Sequence, residues 1–186
     1  MRKGAKMFML RVVLHSVFLW ILACDVVALE VRCSGSENPL LTAATPASEF
    51  MGSSNGIVLD TRTGLSWMRC SLGQVWSGSS CVGSAEYVSW GSALNAVQEM
   101  NAAGGFGGFS DWRVPNRNEL ASIIEWRCRF PSLNDLLFPD APSSYFWCST
   151  PSDVVGYRRC VDLRYGDVRS NLNTNILYPV LFVRGG

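Results

Sequence analysis

The sequence predicts a single α+β domain in which two helices pack on short antiparallel strands. Two segments carry apolar residues at helical spacing behind a capping residue, and several short runs rich in β-branched and aromatic residues follow or precede turns. The chain has 186 residues, 48% of them apolar and 17% charged, which is enough to bury one core. Six cysteines after residue 28 predict that disulfides staple this domain.

Residues 1–28 have the pattern of a signal peptide. Four basic residues, Arg2, Lys3, Lys6 and Arg11, precede twelve mostly apolar residues from Val12 to Ala23, too few for a membrane span of about 20. Small or short residues up to Ala28 favour cleavage before Leu29. Cleavage before Cys24 would instead give a lipoprotein. If the segment is not a signal peptide, it is an uncleaved anchor or a core helix. The sequence therefore predicts an exported protein, in the periplasm, at the cell surface or secreted, with no transmembrane span after cleavage.

Lysine and histidine are absent after residue 28. This excludes Ser-His-Asp and Cys-His catalysis, histidine metal sites, lysine Schiff bases and a Walker-type phosphate loop, because each needs one of those side chains. Without the leader the chain is slightly acidic and has no basic run, so nucleic-acid binding is not expected. We expect no enzymatic activity and no resident cofactor.

The six cysteines allow fifteen pairings, and none lies in a CxxC motif. Cys70 and Cys81 flank a Gly/Ser-rich loop, which favours one local disulfide. Cys148 and Cys160 lie on two strands expected to be neighbours, which favours a second. The pair left over is Cys33–Cys128; six free buried thiols are the alternative.

The chain divides into an N-terminal arm over residues 29–55, which has no periodicity, and a domain over 56–186. The expected elements are a hairpin of Ile57–Asp60 and Leu65–Met68, a helix from Trp90 to Met100 behind Ser89, a second helix behind Asn116 that extends to Trp126 or Arg127, and strands over 145–150, 157–163 and 176–184. Glu119 stands three residues after Asn116, the spacing of a capping box.

The most distinctive motif is DWRVPNRNEL, Asp111 to Leu120. We expect Trp112 to anchor the core and Asp111 to pair with Arg113. A catalytic role for these charged residues is the weaker interpretation, because such pairs are often structural.

Taken together, the motifs resemble the C-terminal domain of the Legionella collagen-like adhesin, the Lcl C-terminal domain family. The matching elements, in order, are TPAS from Thr45, NG at Asn55, DTRTGLSWMRC from Asp60, Trp90, Gly104 to Gly108, DWRVPNRNEL, FP at Phe138, FW and ST in the run from Phe146 to Thr150, VD at Val161, Gly166 and VR at Val183. The resemblance implies a C-type-lectin-like fold and an exported protein. Domains of this family occur in surface adhesins, which are often trimeric, and the adhesin of that name is associated with binding of sulfated polysaccharides. Cys148 stands where the family more commonly has serine.

Two candidate ligand sites lie in the C-terminal part of the chain. Arginine suits sulfates and carboxylates and aromatic rings suit sugar faces, so the first candidate is the set Tyr157, Arg158, Arg159, Arg164, Tyr165 and Arg169. Strand alternation places Arg158 and Arg159 on opposite faces, and neighbouring aspartates allow the alternative of a salt-bridged solvated surface. The second is a calcium site that would use oxygens of Asp153, Asp167, Asn171, Asn173 and Asn175; these asparagines alternatively form a turn.

The leading functional hypothesis is an exported, non-enzymatic recognition module that binds a polysaccharide, with sulfated glycans as one candidate, or another cell-envelope component. An alternative is a structural or trimerising envelope subunit that contacts proteins. A third hypothesis is an oxidase of the formylglycine-generating type, which has a related scaffold and uses cysteines.

Overall fold

The computed structural model describes residues 30–168 and 171–186. The regular structure in these residues consists of antiparallel strands and two α-helices. The predicted signal peptide, Cys24 and Arg169 lie outside these residues. The elements are β1 (Ser36–Glu37), β2 (Phe50–Gly52), β3 (Ile57–Asp60), β4 (Ser66–Met68), β5 (Val75–Trp76), β6 (Cys81–Val82), α1 (Trp90–Ala102), α2 (Arg117–Ser122), β7 (Cys128–Arg129), β8 (Tyr145–Pro151), β9 (Tyr157–Asp162), β10 (Asn171–Asn173) and β11 (Val183–Arg184). The α+β prediction is confirmed. Within the described ranges, no helix is long and apolar enough to cross a membrane.

Two larger sheets and two strand pairs form the β-structure. One sheet has the order β11-β4-β3-β2 and the other β10-β9-β8, while β1 pairs with β7 and β5 with β6. All pairs are antiparallel. The predicted hairpin is β3–β4, and its turn is closed by the Asp60 carboxylate, which accepts hydrogen bonds from the Arg62 and Thr63 amides. The strand predicted over 176–184 is shorter in the structure, where only Val183–Arg184 form β11. Pro179 interrupts the predicted strand because proline has no amide hydrogen to donate in a ladder.

Both helices begin where the capping residues predict. The Ser89 hydroxyl accepts the Ser92 amide at the start of α1, and Asn116 and Glu119 form the predicted capping box of α2. However, α2 ends at Ser122 and does not reach Trp126. The chain turns there, which carries the Glu125 carboxylate into the protein interior and leaves Trp126 52% exposed.

Strands β8 and β9 separate two apolar clusters. Phe146 and Cys148 pack in one cluster, and Trp147 and Cys160 pack in the other. Because Trp147 lies opposite Cys160 in the ladder, Cys148 is offset from Cys160 by one residue and points to the other face. The predicted Cys148–Cys160 disulfide is therefore wrong: the strands are neighbours, but both thiols are free and buried.

The structure contains the other two predicted disulfides, Cys33–Cys128 and Cys70–Cys81. The first joins the segment 30–55 to β7, beside the β1–β7 pair. The same segment supplies β2, which is an edge strand of the four-stranded sheet.

The DWRVPNRNEL motif joins the two helices. Trp112 is buried, as predicted, and the Asn101 side chain of α1 holds its backbone with two hydrogen bonds. The predicted Asp111–Arg113 pair is wrong. Arg113 instead forms a bidentate pair with Glu119, and Asp111 pairs with Arg184 at 2.7 Å, because β11 runs beside the motif at Arg113.

Candidate functional site

Three neighbouring aromatic side chains are exposed on one side of the protein. Trp126, Phe130 and Tyr165 are 52%, 44% and 48% exposed. The rings of Phe130 and Tyr165 meet edge to face at 4.9 Å between centroids. We call these three residues the aromatic face. Large apolar side chains are costly to leave in water, so a contiguous exposed group of this kind is typical of a binding surface.

Trp126 and Tyr165 line a shallow groove of about 300 Å³, together with Gly166, Asp167 and Val168. Gly166 has a φ of +81°, and a Cβ atom there would lie 2.9 Å from Cζ3 of Trp126 and 3.0 Å from Cγ2 of Ile124. Only glycine satisfies both the backbone conformation and this close approach. The Tyr165–Gly166–Asp167 turn therefore packs directly against one side of the indole.

Buried Glu125 fixes the loop that carries Trp126. Its carboxylate accepts hydrogen bonds from the amides of Ala44, Thr45 and Arg127 and from the Thr45 hydroxyl, at distances of 2.8 to 3.3 Å. Such charge-assisted bonds are stronger than neutral ones. The N-terminal segment thus holds the residue that precedes Trp126.

Two backbone hydrogen bonds and a disulfide fix the other parts of the face. The Phe130 amide donates to the Arg164 carbonyl at 3.0 Å, and the Ser132 amide donates to the Leu163 carbonyl. Cys128, which forms a disulfide with Cys33, lies between Trp126 and Phe130 in the chain. A surface that is rigid before binding loses less conformational entropy when a ligand binds.

Arg164 adjoins the aromatic face but is already paired. Its guanidinium donates to both oxygens of the Asp162 carboxylate, each at 2.8 Å, and lies 4.3 Å from the ring centroid of Tyr145 and 5.7 Å from that of Tyr165. The hydrogen bonds to Asp162 raise the pKa of Arg164 above its usual value. Arg164 and Tyr165 are the two members of the predicted arginine–tyrosine set that lie at this site.

The structure separates the rest of that set. The guanidinium of Arg158 stacks 4.0 Å from the ring centroid of Trp90 and donates to the carbonyl of half-buried Tyr157. Arg159 forms an ion pair with Asp153 at 3.0 Å. Arg158, Arg159 and Arg164 therefore each contact different partners, and Arg169 lies outside the described residues.

The residues of the predicted calcium site form local contacts. The Asn173 side chain accepts the Asn175 amide at 2.9 Å, which is the turn that the sequence offered as the alternative. The Asp153 carboxylate is paired with Arg159. Across residues 30–168 and 171–186, no group of three or more His, Cys, Asp or Glu side chains is placed to hold a metal ion.

Sequence reasoning missed Trp126 and Phe130. Trp126 follows the apolar residues of α2 at helical spacing, which indicated a buried position in a longer helix. No local signal marks Trp126 as exposed, because its exposure depends on the hydrogen bonds that Glu125 accepts from the amides of Ala44 and Thr45 in the N-terminal segment.

Comparisons with known proteins identify the family. The family model of the Lcl C-terminal domain matches residues 56–184, more than half of the chain. A comparison with curated proteins gave no match. The matched range contains the whole aromatic face and ends at Arg184, the last residue of β11. The chain therefore belongs to the Lcl C-terminal domain family.

Proposed function

We propose that this protein is an exported, non-enzymatic recognition domain that binds polysaccharide through the aromatic face. The family is related to a surface adhesin, and the two disulfides are typical of proteins outside the reducing cytosol. The α+β arrangement fits the lectin-like fold that the family resemblance implies. The single observation that carries the proposal is the exposed, anchored cluster of Trp126, Phe130 and Tyr165.

Sugar rings suit this surface because one face of a pyranose is formed by C–H groups. Such a face packs on an aromatic ring, while the hydroxyl groups at the edge of the sugar remain available for hydrogen bonds. Arg129, which precedes Phe130, is exposed and has no ion pair within the described ranges. We assign to Arg129 the contact with a sulfate or carboxylate, since arginine binds such groups with two parallel hydrogen bonds.

The thiols favour a binding role over the oxidase hypothesis. Cys148 and Cys160 are both fully buried and lie on opposite faces of the β8–β9 ladder. Burial raises the pKa of Cys160 to about 12 and that of Cys148 well above its usual value. A reactive cysteine needs an accessible thiolate, and these two positions disfavour one.

A glycan array with the protein in multivalent display tests the proposal. We expect binding to polysaccharides, with a loss of about tenfold or more on Trp126→Ala or Tyr165→Ala, because each substitution removes one aromatic contact. Tyr87→Ala is the matched control, since Tyr87 is 47% exposed but lies outside the aromatic face. Arg129→Ser distinguishes ligands: it weakens binding to sulfated glycans and spares neutral ones.

The array also tests the competing hypotheses. Unchanged binding by both aromatic variants would place the ligand elsewhere, and retention that depends on Arg158 and Arg159 would restore the arginine site. Binding that is lost in chelator would restore calcium. If no glycan binds under any condition, the result favours the second candidate function, that of an envelope subunit that contacts proteins. Exposed Val75 and Val82, opposite each other on β5 and β6, favour that candidate.

A further inference from the structure

The DWRVPNRNEL motif forms one wall of a cleft that the aromatic face does not use. The cleft lies between α1 and the segment from Trp112 to Glu119 and has a volume of about 520 Å³. Ligand sites for small molecules commonly have volumes of about 300–1,000 Å³. No residue of the aromatic face lines this cleft.

The cleft is held open by contacts within the protein. Its apolar lining includes Val97 of α1 together with Trp112 and Val114 of the motif, all three of which are buried. The Asn101 side chain donates to the Trp112 carbonyl at 2.7 Å and accepts the Trp112 amide at 3.2 Å. These bonds tie α1 to the motif, so the cleft exists before any ligand binds.

The charges that line the cleft cancel. Arg113 donates to the two oxygens of Glu119 at 2.7 and 2.8 Å and to the Gly185 carbonyl at 2.8 Å. The Arg113 side chain remains 41% exposed, and its Nε makes no hydrogen bond to the described residues. A cleft lined by one paired cation and one paired anion favours a neutral ligand, because neither charge is available to balance an ionic one.

Two further polar side chains line the cleft without a partner among the described residues. They are the amide of Gln98, on the exposed side of α1, and the hydroxyl of Ser149, on β8. With Nε of Arg113 they offer planar and hydroxyl hydrogen-bonding groups beside an apolar surface. A ligand complementary to this lining has several hydroxyl or amide groups and one apolar face.

We propose that this cleft is a second ligand site, which binds one or two neutral sugar units. A pyranose ring has the required combination of an apolar face and hydroxyl groups at its edge. The site goes beyond the polysaccharide surface proposed above and does not depend on it. It also gives a binding role to the motif, whose other contacts are structural.

The test is a titration of the ¹⁵N-labelled protein, with both disulfides formed, using cellobiose and diacetylchitobiose. We expect one of these sugars to shift the backbone amide signals of Val97, Gln98 and Arg113. The double variant Gln98→Met with Ser149→Ala should weaken that binding about tenfold, since it removes two hydrogen-bonding groups. Asn95→Met, an exposed position of α1 outside the cleft, should leave it unchanged.

The result is separable from that of the aromatic face. Trp126→Ala should not alter the shifts of the cleft residues, even where it abolishes binding on the glycan array. The proposal is overturned if neither sugar shifts these amide signals at millimolar concentration, if the double variant binds as well as the parent protein, or if only a sulfated sugar or a peptide binds in the cleft.

Discussion

Gly166 lies beneath the indole of Trp126 and determines how closely the β9–β10 turn approaches it. We expect Gly166→Ala to lower the free energy of unfolding by about 2–3 kcal/mol, because alanine disfavours a φ of +81° and its Cβ would lie 2.9 Å from the Trp126 ring. The measurement is urea unfolding, and the fluorescence spectrum of the native protein is recorded as a second measurement. A displaced Trp126 should also shift the emission maximum.

Gly64 provides the matched control for this substitution. It has a φ of +74°, but a Cβ there would have no atom within 4 Å. Gly64→Ala therefore carries the backbone cost of about 1–2 kcal/mol without a steric clash. Equal losses in the two variants would show that Trp126 does not pack on Gly166 in solution, and the aromatic groove would then have a different shape.

Cys148 and Cys160 give a prediction that separates burial from oxidation. In the chain without residues 1–28, which contain Cys24, a thiol reagent should label no cysteine in the native state, even at pH 9, because Cys148 and Cys160 are buried and their pKa values are raised by that burial. After unfolding without reductant, it should label two. Labelling of none in the unfolded protein would mean that Cys148 and Cys160 are oxidised, contrary to the ladder register that separates them.

At the scale of the element, the start of α2 depends on ionised Glu119. Burial of the Glu119 carboxyl opposes ionisation, but the hydrogen bonds from Arg113 and from the Asn116 amide together outweigh it, so the pKa is lowered from 4.5. A lowered pKa in the folded state means that this stabilisation is fully present above about pH 4.5 and is lost as the pH falls through the folded-state value. Acid should therefore weaken the cap of α2.

The test compares Glu119→Gln with the parent protein in urea unfolding between pH 7 and pH 3. We expect a loss of about 1–2 kcal/mol at pH 7 and a smaller loss at pH 3, where the parent carboxyl is itself becoming protonated. Glu99→Gln, on the exposed side of α1, is the control and should change stability little at either pH. A constant difference across the pH range would contradict the assignment.

The elements that sequence reasoning predicted are those with local signals. Ser89 and Asn116 mark helix starts because their side chains bond to amides within three residues, and the β3–β4 hairpin depends on a turn closed by Asp60. The aromatic face has no such signal. Trp126 is exposed because Glu125 forms hydrogen bonds with Ala44 and Thr45, some 80 residues away in the chain. Cys148 does not form a disulfide with Cys160 because the register of the β8–β9 ladder places them on opposite faces.

At the scale of the whole molecule, the two disulfides close loops of very different length. Cys33–Cys128 spans a sequence separation of 95 residues and Cys70–Cys81 spans 11. In the chain-entropy model a crosslink stabilises by restricting the unfolded chain, by about 4–5 kcal/mol for the long loop and about 3 kcal/mol for the short one. We expect Cys33→Ser with Cys128→Ser to be the more destabilising double substitution when measured by urea unfolding without reductant.

The same pair of variants tests whether the N-terminal segment supports recognition. Cys128 lies between Trp126 and Phe130, so loss of the long-range disulfide should loosen the aromatic face and weaken glycan binding even at temperatures where the protein stays folded. Loss of Cys70–Cys81 should lower stability and leave binding unchanged, since none of the groove residues is near that loop in the chain. If both variants bind glycans as the parent protein does, Glu125 and the backbone bonds to Leu163 and Arg164 suffice to hold the face, and the disulfide serves stability alone.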